Sequence, residues 1–237
     1  MKKILVSSMV TGLVATTLSA EPLQTHTELG YIETQGNTKT KTFNLDATAQ
    51  KAFDKSEVKV KLNAQYAEDD GKEIKNQYLI ELNYNYFMTE RFFINYLVGY
   101  KEDKFSSFEY QFYTGPALGY KAVVSDLQNL TLEAGVLYSQ DKYNDAAGTT
   151  EDYTSYRAKG LYDYKLAENT KFTEEASIKG QLDDTDNYFA YSKTAVVSKI
   201  SDVFSGGVSY KVDYTHLPLP GKKKIDTTFM LNLIIDY

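Results

Sequence analysis

Two histidines, His26 and His216, are the side chains in this sequence with the clearest capacity for catalysis. A hydrolase places a histidine beside a nucleophile or a paired carboxylate. Neither histidine has a serine two residues away, where it would share a face of an extended strand. A catalytic pair would have to form between strands, and we therefore expect no catalytic site and no enzyme. Cysteine is absent, which excludes cysteine nucleophiles, thiolate metal sites and disulfides.

Two acidic clusters are the candidates for metal binding, at residues 68–70 (Glu-Asp-Asp) and 183–186 (Asp-Asp-Thr-Asp). Calcium takes several oxygen ligands from a compact loop, but the second cluster lacks the glycine and the distal glutamate of an EF-hand. We therefore expect solvated loops, no metal and no cofactor, although such loops could bridge through divalent ions to lipid phosphates. The lysines at 222–224 could likewise meet lipopolysaccharide phosphate. The net charge of −6 gives no reason to expect nucleic acid as a partner.

Alternation of apolar and polar residues is the dominant pattern after residue 21, and it predicts β-strands. In the clearest case, Tyr78, Ile80 and Leu82 alternate with Gln77 and Glu81. About twelve such segments are long enough to cross a membrane with the usual tilt, which takes ~9–11 residues. They lie at 27–33, 43–49, 58–66, 77–86, 91–101, 108–120, 130–138, 154–166, 172–182, 188–200, 204–214 and 225–237.

The connections between these segments divide into two alternating sets. Short turns fall at 53–56, 88–90, 125–128, 167–170 and 201–202. The other set is in part longer and richer in charge and glycine, and it falls at 36–37, 69–71, 102–107, 144–150, 183–187 and 217–224. Outer-membrane barrels have short periplasmic turns and longer external loops. The sequence therefore predicts an antiparallel transmembrane β-barrel with both termini in the periplasm.

The first twenty residues have the features of a secretory signal peptide: a basic start, a short apolar core and small residues before Ala20. We expect cleavage near Ala20, leaving one barrel domain over residues 21–237 in the outer membrane of a Gram-negative bacterium. A membrane-anchoring helix is the alternative for residues 1–20. The 21 Tyr and 12 Phe suit a membrane–water interface. Alternation alone is also compatible with a lipocalin-type barrel or a periplasmic β-sandwich.

If the apolar faces look toward lipid, the polar faces line the lumen with charges of both signs in similar number. Such residues can pair across the barrel and brace it, or they can line a narrow aqueous path. The lumen-lining candidates are Lys59, Lys61, Glu81, Arg91, Lys101, Glu133, Arg157, Lys159, Asp163, Lys165, Glu175, Lys179, Lys211, Asp213 and Asp226.

Three stretches of the chain resemble a known family. They are residues 28–40 (ELGYIETQGNTKT), 115–121 (GPALGYK) and 223–228 (KKIDTT), with the closing pair Asp236-Tyr237. In this order and spacing the chain is similar to the salt-induced outer-membrane protein family, a group of barrels classed as a domain of unknown function. The resemblance covers roughly residues 24–237. Ala117 stands where the family usually has glycine, and Tyr237 where it often has phenylalanine. The resemblance implies the fold and the location, and it brings no catalytic residues.

The last predicted strand has an apolar face that resembles the signal read by the barrel-assembly machinery, a partner we expect during biogenesis. Its residues are Phe229, Leu231, Leu233, Ile235 and Tyr237. For the folded protein we expect outer-membrane lipid and lipopolysaccharide as partners. Two functions stay open: a narrow, low-conductance pore for small solutes or ions, or a structural barrel, serving envelope stress, whose lumen is closed by paired charged side chains. The sequence identifies neither a solute nor an oligomeric state.

Overall fold

The computed structural model describes residues 22–34 and 40–236, with residues 32–34 described in their backbone only. The predicted signal peptide, the Gly36-Asn37 turn and Tyr237 lie outside the described residues. The described chain is built from strands β1 (Gln24–Thr34), β2 (Thr40–Ala52), β3 (Ser56–Asp69), β4 (Lys72–Phe87), β5 (Phe92–Asp103), β6 (Phe108–Val124), β7 (Gln128–Tyr143), β8 (Thr150–Ala167), β9 (Thr170–Gln181), β10 (Tyr188–Lys199), β11 (Phe204–Thr215) and β12 (Ile225–Asp236).

The twelve strands form one closed antiparallel barrel in which each strand pairs with its neighbours in the chain. The ring closes between β1 and β12, from His26 opposite Asp236 to Leu29 opposite Leu233. Closure gives every strand a hydrogen-bonded neighbour on each side. A sheet in lipid requires a closed ring because hydrocarbon offers backbone groups no other partner. The prediction of an all-β antiparallel barrel of about twelve strands is confirmed.

The two ends of the barrel differ in their connections. The terminal end carries the start of β1 and the described end of β12, together with the turns 53–55, 88–91, 125–127, 168–169 and 200–203. The loop end carries the connections 70–71, 104–107, 144–149, 182–187 and 216–224. The sequence predicts the short set and the long set of connections at these places. That the terminal end faces the periplasm stays a prediction. In the described part of the chain, no helix is long and apolar enough to span a membrane.

The faces of the strands are arranged as a membrane barrel requires. On β4 the outward side chains Ile80, Leu82 and Tyr84 are all more than 40% exposed, whereas the inward Glu81 is only 5% exposed. Soluble sheets bury the apolar face and leave the polar face to water. The opposite arrangement here favours lipid around the barrel and rules out the lipocalin-type and β-sandwich alternatives.

Some apolar side chains point inward, which strict alternation did not predict. Phe93 and Leu97 on β5, Leu137 on β7 and Met230 and Ile234 on β12 are each at most 3% exposed. They pack against the barrel wall and fill part of the interior. The lumen is therefore less uniformly polar than the sequence pattern indicates.

The lumen as candidate functional site

Eleven of the fifteen charged residues expected in the lumen lie on inward faces and are buried or half-buried: Lys59, Lys61, Glu81, Lys101, Glu133, Arg157, Lys159, Glu175, Lys179, Lys211 and Asp213. Three others lie near the barrel ends: Asp163 and Lys165 at the terminal end, Asp226 at the loop end. Arg91 is the exception, because β5 begins at Phe92 and leaves Arg91 exposed in the turn 88–91.

One ion pair crosses the lumen at mid-height. The ammonium of Lys61 on β3 lies 3.1 Å from the carboxylate of Glu175 on β9. These strands are six positions apart in a ring of twelve, so they face each other across the full width of the barrel. Lys159 on the neighbouring β8 reaches the other oxygen of the same carboxylate at 3.2 Å. Glu175 therefore joins both walls of the barrel.

A second pair crosses the lumen nearer the loop end. Lys101 on β5 lies 3.4 Å from Asp213 on β11, and these strands are also six positions apart. Lys211 lies 3.7 Å from the other oxygen of Asp213. We call the Lys61–Glu175 and Lys101–Asp213 pairs the crossbars. Solvent screens ion pairs in such a confined site less than it screens surface pairs. These pairs can therefore restrain lysine side chains that would be mobile if they were unpaired.

Glu81 is the centre of a third connection. Its Oε1 accepts a hydrogen bond from the Tyr113 hydroxyl at 2.6 Å and lies 3.4 Å from a nitrogen of Arg157. Tyr113 reaches it because Gly99 leaves space under the ring: a Cβ at position 99 would lie 2.2 Å from a ring carbon of Tyr113. These contacts join β4, β6 and β8 inside the barrel.

The sequence pattern did not predict one further lysine of the lumen, because it lies in a segment with weaker apolar–polar alternation. Lys193 on β10 is 2.9 Å from both Glu28 on β1 and Asp46 on β2. Asn232 on β12 and Asn63 on β3 donate hydrogen bonds to these two carboxylates at 2.7 Å each. The group spans the closure of the barrel between its first and last strands. Only the alternation within β1, β2 and β10 could have indicated it.

Lys179 lies in an aromatic enclosure. Its ammonium is 5.0 Å from the ring centre of Tyr113, 5.1 Å from that of Phe189 and 5.9 Å from that of Tyr153, distances at which cation–π attraction operates. The carboxylate of Asp141 lies 3.9 Å away. Asp141 is fully buried and accepts a hydrogen bond from the Tyr153 hydroxyl at 2.7 Å.

The described part of the lumen has a space toward each end. The loop-end cavity has a volume of about 160 Å³ and is lined by the residues of both crossbars and by Lys223 and Lys224. The terminal-end vestibule is wider, with a volume of about 540 Å³, and no crossbar residue lines it. The mid-height crossbar and the Glu81 group therefore separate the two spaces. Such an interior resembles neither a fully packed barrel nor an open channel.

The other sequence candidates lie toward the two ends of the barrel. His216 exchanges a hydrogen bond with the Tyr214 hydroxyl at 2.8 Å. His26 lies 2.6 Å from Asp236 and 3.1 Å from Glu28, and it thereby links β1 to β12. Within the residues described, the acidic clusters bring no three metal-binding side chains together.

The apolar face of β12 points outward in its described part. Phe229, Leu231 and Leu233 are all close to half exposed or more, and Ile235 is half-buried. Tyr237, the proposed end of the assembly signal, lies outside the described residues.

A closed antiparallel barrel with an apolar outer band and a charged interior is the architecture of transmembrane β-barrels. The chain belongs to the family described as "Protein of unknown function, DUF481", whose model matches residues 27–237. This match agrees with the expected membership of a barrel family of unknown function. The narrower resemblance to salt-induced outer-membrane proteins stays a prediction.

Comparisons with individual proteins agree with this architecture. Uncharacterized protein YdiY of Escherichia coli (strain K12) is 23% identical over 198 residues, which cover 84% of this chain and 76% of that protein. The COG4313 outer membrane channel from Pseudomonas putida F1 is similar in structure, with a TM-score of 0.53, 9% identity and coverage of 94% and 96% of the two chains. The NanC porin gives a TM-score of 0.50 at 10% identity, covering 91% of this chain and 98% of the porin. At these identities the structural matches establish the fold alone.

Proposed function

We propose that this protein is an integral outer-membrane barrel that acts as a narrow, low-conductance pore for small solutes or ions and has no catalytic site. The observation that carries the proposal is the lumen: a cavity and a vestibule lined by polar and charged groups, separated by side chains rather than by a packed apolar core. Twelve strands enclose more space than the eight of a filled barrel and less than the sixteen to eighteen of a porin. Side chains therefore set the conductance.

The location follows from the same physical argument. The exposed apolar band requires a lipid environment, and export through a signal peptide cleaved near Ala20 would deliver the chain to the outer membrane of a Gram-negative cell. The barrel-assembly machinery would then insert it, with both termini in the periplasm. Outer-membrane lipid and lipopolysaccharide are the partners that such a surface meets.

The crossbars also favour a second candidate function. If the Lys61–Glu175 and Lys101–Asp213 pairs are permanent, the lumen is closed and the protein is a structural barrel of the cell envelope. Both functions predict the same fold, and they differ in ion flow. The pore requires that these pairs leave an aqueous path or exchange partners.

Single-channel conductance of the refolded protein in a planar bilayer distinguishes the two functions. The pore predicts small current steps, well below those of a sixteen-stranded porin, because paired side chains occupy the lumen. Swelling of liposomes containing the protein in small sugars or amino acids is the second measurement. Absence of both current and swelling, in a protein shown to be folded, would leave the structural barrel as the function.

A further inference from the structure

The connection between β11 and β12 crosses the mouth of the barrel. Residues 216–224, which we call the strap, leave the barrel wall at β11 and return at β12. Their contacts reach the 104–107 loop between β5 and β6, on the opposite side of the ring. The strap therefore covers the loop end from one wall to the other.

The strap is built to keep its shape. Residues 219–222 form a tight turn in which the Lys222 N–H donates to the Leu219 carbonyl at 3.0 Å. Pro220 and Gly221 occupy the two central positions, and Gly221 has a φ of +84°. Proline followed by glycine with positive φ is the arrangement of a type II turn, and the proline restricts the backbone further. The tip therefore moves as a unit.

The base of the strap is part of the barrel. The Thr215 N–H donates to the Lys224 carbonyl at 2.8 Å, and the His216 N–H donates to the Tyr188 carbonyl on β10 at 3.0 Å. These bonds extend the strand ladder and fix the two ends of the strap. Motion of the tip would pivot about them.

Two hydrogen bonds hold the tip at the far wall. The Leu219 N–H donates to the Ser107 hydroxyl at 2.8 Å, and the Lys222 ammonium donates to the Phe105 carbonyl at 2.8 Å. Ser107 is itself fixed, since it is 4% exposed and its carbonyl accepts a hydrogen bond from the Asn144 N–H at 2.9 Å. Lys222 is exposed, so water can replace its bond to the carbonyl at little cost. A latch of two hydrogen bonds, each with a small net free energy, can open by thermal motion.

The loop-end cavity lies beneath the strap. Lys223 and Lys224 from the strap line it together with the crossbar residues Lys101 and Asp213. A solute that enters from the loop end must pass the strap before it meets the crossbars. The strap and the mid-height crossbar thus bound the cavity on its two sides.

We propose that the strap is a lid, held shut by the Ser107 and Lys222 hydrogen bonds, that controls entry to the lumen from the loop end. The inference rests on the proposed pore function, since it assigns that pore a regulated entrance. Opening requires only that the tip leave the 104–107 loop, while the barrel and the base of the strap stay intact.

The test compares a released lid with a matched control. The release variant is Ser107→Ala with Lys222→Ala, which removes both contacts at the far wall. The control is Lys72→Ala, which removes the charge of an exposed loop-end lysine that lines neither space and leaves both hydrogen bonds. A tethered variant, Ser107→Cys with Leu219→Cys, uses the absence of native cysteine, so that the introduced pair carries the only thiols. The two single-cysteine variants control for the substitutions themselves.

Conductance is the first measurement. We expect the open fraction of the release variant to rise about tenfold, as the loss of two hydrogen bonds allows, and that of Lys72→Ala to stay close to the native value. The oxidised tether should lower the current, and a reductant should restore it. If the release variant and the oxidised tethered variant both gate like the native protein, the strap does not act as a lid.

A second measurement does not depend on ion flow. Ser177, which lines the cavity, is replaced by cysteine, and its rate of reaction with a small methanethiosulfonate reagent is measured in vesicles. Release of the strap should raise this rate, and Lys72→Ala should not. If no variant conducts but release accelerates labelling, the lid stands and the pore function fails. If currents are present and both current and labelling ignore the release, the lid fails and the pore stands.

Discussion

Glu175 compensates two ammonium groups at once, those of Lys61 and Lys159. Replacing it with glutamine keeps the shape of the side chain and leaves both lysines without their carboxylate. Removing one partner of a largely buried pair typically costs about 3–5 kcal/mol, because an uncompensated charge stays behind. We expect Glu175→Gln to lower the temperature at which the barrel unfolds in SDS and to raise single-channel conductance, since the mid-height crossbar is lost.

Asp163→Asn is the matched control for Glu175→Gln. Asp163 pairs with Lys171 at 3.7 Å, but both side chains are about half exposed, so solvent already screens the attraction. We expect little change in the unfolding temperature or the current. Equal effects of the two substitutions would show that the crossbar affects stability and current no more than an exposed ion pair does.

At the residue scale, the sequence predicts the direction in which a side chain points better than it predicts its partner. Period-two alternation puts Lys61 and Glu175 on polar strand faces. They are 114 residues apart and meet only because β3 and β9 are opposite in a ring of twelve. The number of strands and their stagger decide which side chains pair across the lumen. No local stretch of the sequence determines either quantity. Arg91 shows the complementary limit: a strand that begins one residue later places a charge outside the lumen.

At the element scale, the outward face of β4 is a band of apolar residues between tyrosines. Leu82 lies midway between Tyr78 and Tyr86, all on the outer face. Arginine near the bilayer midplane of a barrel costs about 2–4 kcal/mol. Leu82→Arg should therefore reduce the amount of folded barrel in refolding titrations into lipid vesicles. Glu90→Arg, in the exposed turn 88–91, should refold like the native protein, and equal yields for both variants would argue against lipid contact at Leu82.

Alternation predicts all twelve strands because each has one face toward lipid and one toward the lumen. It fails where the two faces do not differ in polarity. Phe93 and Leu97 point inward, and the ladder shifts register between Phe108 and Tyr110 and between Lys121 and Val123. Such irregularities depend on how neighbouring strands fit together. The strap, similarly, appears in the sequence only as a loop with prolines and lysines, because its path across the mouth is set by the ring.

At the scale of the whole molecule, closure of the ring should make the barrel resistant to detergent. In a closed ring every strand has a neighbour on each side, so no strand forms a free edge from which unfolding can begin. We expect the protein extracted in mild detergent to migrate faster on SDS gels before boiling than after. Unchanged mobility, together with recovery in the soluble periplasmic fraction, would contradict the membrane barrel.

The balance of charge along the lumen sets the selectivity of any current. Positive and negative side chains nearly cancel among the inward residues, so the native pore should discriminate only weakly between K⁺ and Cl⁻. Replacing Lys59, Arg157 and Lys159 with glutamine removes three positive charges, takes Arg157 away from Glu81 and leaves Glu175 with Lys61 as its one remaining close cation. The reversal potential in a KCl gradient should then shift toward that of K⁺. The matched control makes the same two Lys→Gln and one Arg→Gln changes at the exposed positions Lys55, Lys72 and Arg91. An equal shift in both variants would place the selectivity outside the lumen, and strong selectivity in the native protein would contradict the paired interior.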